Sequence, residues 1–167
     1  MTALFVYFFT SIVVSFLCSL LESVLLSVSH AHIAVLVKAG SKSGKLMASL
    51  KENINRPLSA ILTINTIAHT VGAAGVGAQT FSVFGNGYVA LSSIILTLSV
   101  LFFSEIIPKT LGANYTKSLV GFSAYMIRIL ILIVFPMVII GEKLSKFLKR
   151  SKEDKSKASR EELIAMA

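Results

Sequence analysis

The chain has 167 residues and a formal net charge of +8, yet 54% of its residues are apolar and only 14% are charged. Soluble domains normally carry about a quarter charged residues, so this composition argues against a water-soluble globular fold. Its basic excess must be read by position rather than as a nucleic-acid signature. A single cysteine, Cys18, sits in an apolar run and excludes a disulfide framework.

Four apolar segments follow in chain order, at residues 3–28, 58–84, 88–107 and 119–141. Crossing a hydrocarbon layer takes roughly 20 residues at helical rise. The first segment lacks the basic start, the short apolar run and the small-residue cleavage site of a signal peptide, and is read as a span. Residues 38–56 then carry Lys38, Lys42, Lys45, Lys51 and Arg56 against Glu52. Residues 81–88 (FSVFGNGY) carry no charge. Lys109 and Lys117 follow the third segment, and eight Lys or Arg residues between Lys143 and Arg160 follow the fourth. Basic loops stay cytoplasmic, so the glycine-rich turn faces outside and the basic stretches inside.

Three segments can alternate across the membrane under that rule, but a fourth full span would carry the most basic tail outside. The expected fold is therefore an all-α membrane protein with three transmembrane helices. A re-entrant or juxtamembrane helical hairpin over 119–141 completes it, with the N-terminus outside and the C-terminus cytoplasmic. Pro136 and Arg128 favour a broken or interfacial element there; four plain spans are the alternative. Residues 1–144 form the expected transmembrane domain. Residues 145–167 read as a cytoplasmic linker in which Ser159 and Glu162 have capping-box spacing. A helix starting so late suggests a longer protein with a cytoplasmic domain.

Ionisable residues inside apolar runs cost at least ~2.5–3.5 kcal/mol each on insertion scales and face the bundle interior or a pathway. Here they are Glu22, His69 and Glu105. The first segment also holds Ser11, Ser15, Ser19, Ser23 and Ser27, four apart, which at 100° per residue make one slowly drifting stripe. Such serines serve helix packing as readily as a site. Glu22 could supply a charge or pair with a basic residue at the cytoplasmic mouth. The second segment holds Asn65, Thr66, His69 and Thr70, followed by small residues from Gly72 to Ala78. That small-residue face reads as a contact surface, with a homodimer expected. Asn65 offers a carbonyl oxygen suited to a hard cation, while His69 is expected to make an interhelical hydrogen bond. In the third, Pro108 has no N–H for the Ser104 carbonyl, which frees a backbone oxygen beside Glu105.

The ordered set of motifs resembles the transmembrane domain of the CNNM/CorC (CorB) family of magnesium transporters, over about residues 1–165. Ser15-Phe16-Leu17-Cys18-Ser19-Leu20-Leu21-Glu22 is similar to its Ser-x-x-x-Ser-x-x-Glu run. Leu62-Thr63-Ile64-Asn65-Thr66 is similar to L-T-x-N-T, and Glu105-Ile106-Ile107-Pro108-Lys109 to G-E-I-x-P-K, with Ser104 where the family has glycine. Arg160-Glu161-Glu162-Leu163 resembles the start of the acidic helical bundle before paired nucleotide-binding CBS domains.

The resemblance implies a multi-pass plasma-membrane dimer that moves Mg²⁺ by secondary transport, with Na⁺ as the coupling ion. The dehydrated ion would be held by Ser19 or Ser15, Asn65, Glu105 and a backbone oxygen near Gly112. Glu22, Ser23 and Thr66 are further candidates along the pathway. The expected partners are the lipid bilayer, a second copy and the ions, with no nucleic acid; nucleotide would enter only through cytoplasmic domains beyond this chain. The alternative is a membrane anchor and dimerisation domain for a nucleotide-sensing module. No zinc motif, nucleophile elbow or phosphate loop is present, so an enzyme is not expected.

Overall fold

The computed structural model describes residues 1–136. The expected boundary at 144/145 and the tail motif lie outside the described residues. The chain divides into two compact units, Met1–Ile133 and Val134–Ala167; only residues 134–136 of the second are described, and the first is treated below.

The described chain is helical throughout. Helix α1 (Thr2–Ser27) is followed by a short pair, α2 (His30–Lys38) and α3 (Lys42–Glu52), and by the long α4 (Asn55–Phe84). The third span begins with a 3₁₀ turn at Asn86–Tyr88 and continues through α5 (Val89–Ser99), a π-helical segment (Val100–Ile106) and α6 (Ile107–Asn114). Helix α7 (Thr116–Pro136) comes last. Four helical stretches are long and apolar enough to cross a membrane: α1, α4, 86–114 and α7.

The fourth of these bears on the expected hairpin. α7 runs unbroken through Arg128 up to Pro136, so no break occurs where the arginine was expected to favour one. Residues 137–141 of the expected hairpin lie outside the described residues.

The basic stretch after α1 is more ordered than a loop. Ser29 caps α2 by accepting from the His32 N–H at 3.2 Å, and Ser41 caps α3 by accepting from Gly44 N–H at 3.3 Å. Between them Gly40 takes φ +75°. Its N–H bonds to Val37 O and that of Ser41 to Leu36 O, the paired bonds of a Schellman stop that glycine alone adopts at no steric cost. Gly44 then lets α3 approach α2, since a Cβ there would lie 2.6 Å from that of Leu36.

α1 is the hub of the bundle and packs along α4, the π segment and α6. In lipid the apolar tails offer helices no hydrophobic reason to associate, so close packing and interhelical hydrogen bonds must hold them. Both are visible. Gly72 of α4 lies against Ser11 and Gly75 against the Tyr7 ring, each with no room for a Cβ. Two of the small residues expected to form a dimer surface are therefore used inside the protomer. Ala73, Ala74 and Ala78 remain exposed, and Gly77 has open space beside it. The third span is the least covered, with 11% of its most apolar window buried.

Candidate ion-binding site

The serine stripe of α1 changes partner along its length. Ser11 Oγ donates to Ala68 O of α4 at 3.0 Å, and Ser15 Oγ shares a 2.6 Å hydrogen bond with His69 Nε2. At the other end Ser23 Oγ donates to Lys109 O of α6 at 2.6 Å. Between these, Ser19 is 1% exposed and its hydroxyl has no partner. The stripe thus bonds α4 on one side of Ser19 and α6 on the other.

Asn65 sits opposite that gap by register. Helices α1 and α4 are antiparallel, with Ser11 against Gly72 and Ser15 bonded to His69. One more turn along α1 and one turn back along α4 bring Ser19 level with Asn65. The Asn65 Oδ1 is also buried without a partner. Leaving a buried polar group unmet costs ~1–3 kcal/mol, so two such atoms at one level mark a place for a water or an ion. His69 takes the expected interhelical hydrogen bond. Its partner is Ser15, which commits that hydroxyl and leaves Ser19 as the free member of the pair.

The third span reaches α1 at two points. Ser104, fully buried, donates from Oγ to Ile12 O at 3.2 Å. Further on, Lys109 and Gly112 meet Ser23. Glu105 lies between these contacts, half-buried, and makes no hydrogen bond or ion pair among the described residues.

The local backbone is π-helical, with Ile107 N–H bonding Phe102 O. Pro108 explains it: the proline removes an N–H and its ring crowds the Ser104 carbonyl, and the turn widens instead of breaking. The sequence pointed to a freed carbonyl but not to the bulge. π-bulges are frequent at functional sites.

Gly112 is buried because nothing larger fits. A Cβ there would stand 2.7 Å from Ser23 Cβ and 2.9 Å from the Leu20 carbonyl. Its own carbonyl accepts from Thr116 Oγ1 at 2.7 Å, so one of its two lone pairs is committed. Glu22 forms an ion pair with Lys109 at 3.8 Å, which answers the question left open for it. Ser23 is committed to Lys109 O. Thr66 is exposed and spends its hydroxyl on Leu62 O at 2.8 Å, so it is not drawn into the site. Among the described residues no cluster of three or more His, Cys, Asp or Glu could hold a metal. Any cation here would rest on one carboxylate and neutral oxygens.

The chain is 32% identical to the UPF0053 protein sll1254 of Synechocystis sp., across 77% of the chain and 37% of that relative. It is 30% identical to a UPF0053 protein of Haemophilus influenzae, across 83% of the chain and 33% of the relative. It is 24% identical to the UPF0053 inner membrane protein YfjD of Escherichia coli, across 77% and 30%. The chain therefore spans about a third of the length of these curated relatives. The family model for the cyclin M (CNNM) transmembrane N-terminal domain matches residues 5–167. Several apolar helices of spanning length and this match together make the chain a multi-pass membrane domain that belongs to the CNNM family.

Proposed function

We propose that this domain carries Mg²⁺ across the plasma membrane by secondary transport driven by Na⁺, as half of a homodimer. The ion sits between α1, α4 and the third span. Ser19 Oγ, Asn65 Oδ1 and a Glu105 carboxylate oxygen bind it, with the remaining lone pair of the Gly112 carbonyl as a further donor. The observation that carries the reading is the pair of unpartnered buried oxygens on Ser19 and, across from it, Asn65, while Ser11, Ser15 and Ser23 of the same stripe are bonded. These are hard oxygen donors of the kind Mg²⁺ takes at about 2.0–2.1 Å. One carboxylate leaves the loaded site with net positive charge in a low dielectric. Affinity is then moderate, as release on the other side requires.

Glu22 and Lys109 play a different part. Their ion pair and the Ser23–Lys109 bond join α1 to α6 beside the site. This joint fixes the distance between two of the ligand-bearing helices.

A second reading has its own observation. The exposed face of Ala73, Ala74, Gly77 and Ala78 allows close backbone approach by another helix, as an anchor and dimeriser for a nucleotide-sensing module would need. The two separate at Glu105→Gln, which keeps volume and one carbonyl oxygen. In proteoliposomes containing a magnesium-sensitive dye, transport predicts Mg²⁺ flux that depends on a sodium gradient and is lost in Glu105→Gln. Equal flux in the variant and in the unaltered protein refutes the ligand assignment; no flux in either favours the anchor.

A further inference from the structure

A second polar site lies where α1 ends, α2 begins and α6 turns into α7. A cavity of about 460 Å³ opens there, its walls formed chiefly by Ser27, Ser29, His32, Asn114, Lys117 and Ser118. We propose that this cavity binds a phosphate group. The geometry is rich in donors and free of acids. The His32 ring lines the space. The Lys117 ammonium stands on the same wall, exposed.

The backbone adds to these. On α7 the amides of Ser118 and Leu119 both return to the Tyr115 carbonyl. The amides of Thr116 and Lys117, the first two of that helix, have no carbonyl within it. No Asp or Glu lines the cavity. The described chain holds three carboxylates: Glu22 faces Lys109, Glu105 lies in the π segment, and Glu52 ends α3.

A wall made of an ammonium, an imidazole, hydroxyls and free amides asks for an anion with several acceptor oxygens. Phosphate meets that demand, and a cation would be repelled by Lys117. The cavity also borders the start of α2, which leads into the basic stretch after the first span, where a bilayer surface would meet the protein. An anionic lipid headgroup and a soluble phosphate offer the same chemistry. Nothing in this assignment depends on Mg²⁺ transport.

The test uses the full-length protein in nonionic detergent, followed by thermal stability. The probes are dihexanoyl phosphatidic acid, inorganic phosphate and, lacking phosphate, dihexanoylglycerol, all at equal ionic strength. The expected result is a melting temperature raised by several degrees with a phosphate-bearing probe and unchanged with dihexanoylglycerol. A rise with phosphatidic acid alone identifies a lipid headgroup; a rise with inorganic phosphate as well identifies phosphate itself as sufficient. Lys117→Gln and His32→Gln should each weaken the apparent affinity about tenfold. Lys117→Arg should retain it, and Glu105→Gln should leave it untouched. The proposal is overturned by no rise with either phosphate probe, by an equal rise with dihexanoylglycerol, or by undiminished binding in Lys117→Gln.

Discussion

Replacing Gly112 by alanine adds one methyl group where α6 presses on α1. The new Cβ would lie 2.7 Å from Ser23 Cβ, 2.9 Å from Ser23 Oγ and 2.9 Å from the Leu20 carbonyl. Ser23 Oγ can rotate away, but its Cβ and the Leu20 carbonyl belong to the frame of α1. The helices must separate by several tenths of an ångström or more. That separation falls on the 2.6 Å Ser23–Lys109 bond and the Glu22–Lys109 pair.

Overpacking of this kind costs ~1–3 kcal/mol. The lost interhelical bond adds roughly 0.6 kcal/mol, and the ion pair, with Lys109 half exposed, adds little. At roughly 2–4 °C per kcal/mol for a chain of this size, the melting temperature should fall by about 3–14 °C. Size-exclusion chromatography after a heating series in detergent reads this directly. Gly77→Ala is the control, because nothing lies within 4 Å of the added atom, and its shift should stay within about 0.5 kcal/mol. A Gly112→Ala protein that melts within a degree of the unaltered one would show that α1 and α6 do not meet as described.

Ser19→Ala removes a buried hydroxyl that has no partner, so without Mg²⁺ it should be neutral or slightly stabilising, while Mg²⁺-dependent stabilisation measured by thermal shift should weaken. Asn65→Ala should weaken the same Mg²⁺ response, whereas Ser15→Ala should cost ~0.6 kcal/mol by stranding His69 and leave the Mg²⁺ response nearly intact. A cysteine at Gly87 should react with an impermeant maleimide from outside, and one at Lys42 only after permeabilisation; the reverse pattern would invert the orientation drawn from the basic residues. Gly77→Leu should reduce crosslinked dimer without loss of fold, whereas Gly75→Leu should unfold the bundle, since Gly75 faces Tyr7. An unchanged crosslinking pattern in Gly77→Leu would place the dimer interface elsewhere.

The helical class and the spans were legible because apolar runs of spanning length admit few alternatives. Ser19, Asn65, Glu105 and Gly112 could be singled out from polarity in apolar surroundings and from the resemblance. What separates Ser19 from Ser15 was not legible, because it depends on which serine meets His69, and that register is set by Gly72 against Ser11. The π segment was half visible. Pro108 signals a lost hydrogen bond, but whether a helix breaks or widens depends on neighbours, here Ser104 anchored to Ile12. The α2–α3 pair was missed although its signals were present: Ser29 and Ser41 as caps and Gly40 as the stop. Charge alone had drawn attention to that stretch.

The central place of α1 also sets a schedule for biosynthesis. Its contacts with the third span join residues 86 and 92 positions apart. Glu22 cannot meet Lys109 until the third span has left the ribosome. At roughly 5–20 residues per second, the first helix waits for seconds with Glu22 unpaired and the Ser23 hydroxyl unbonded. During that interval it must remain at the translocon. The joint between α1 and α6 therefore closes late, when Pro108 and the segment after it arrive.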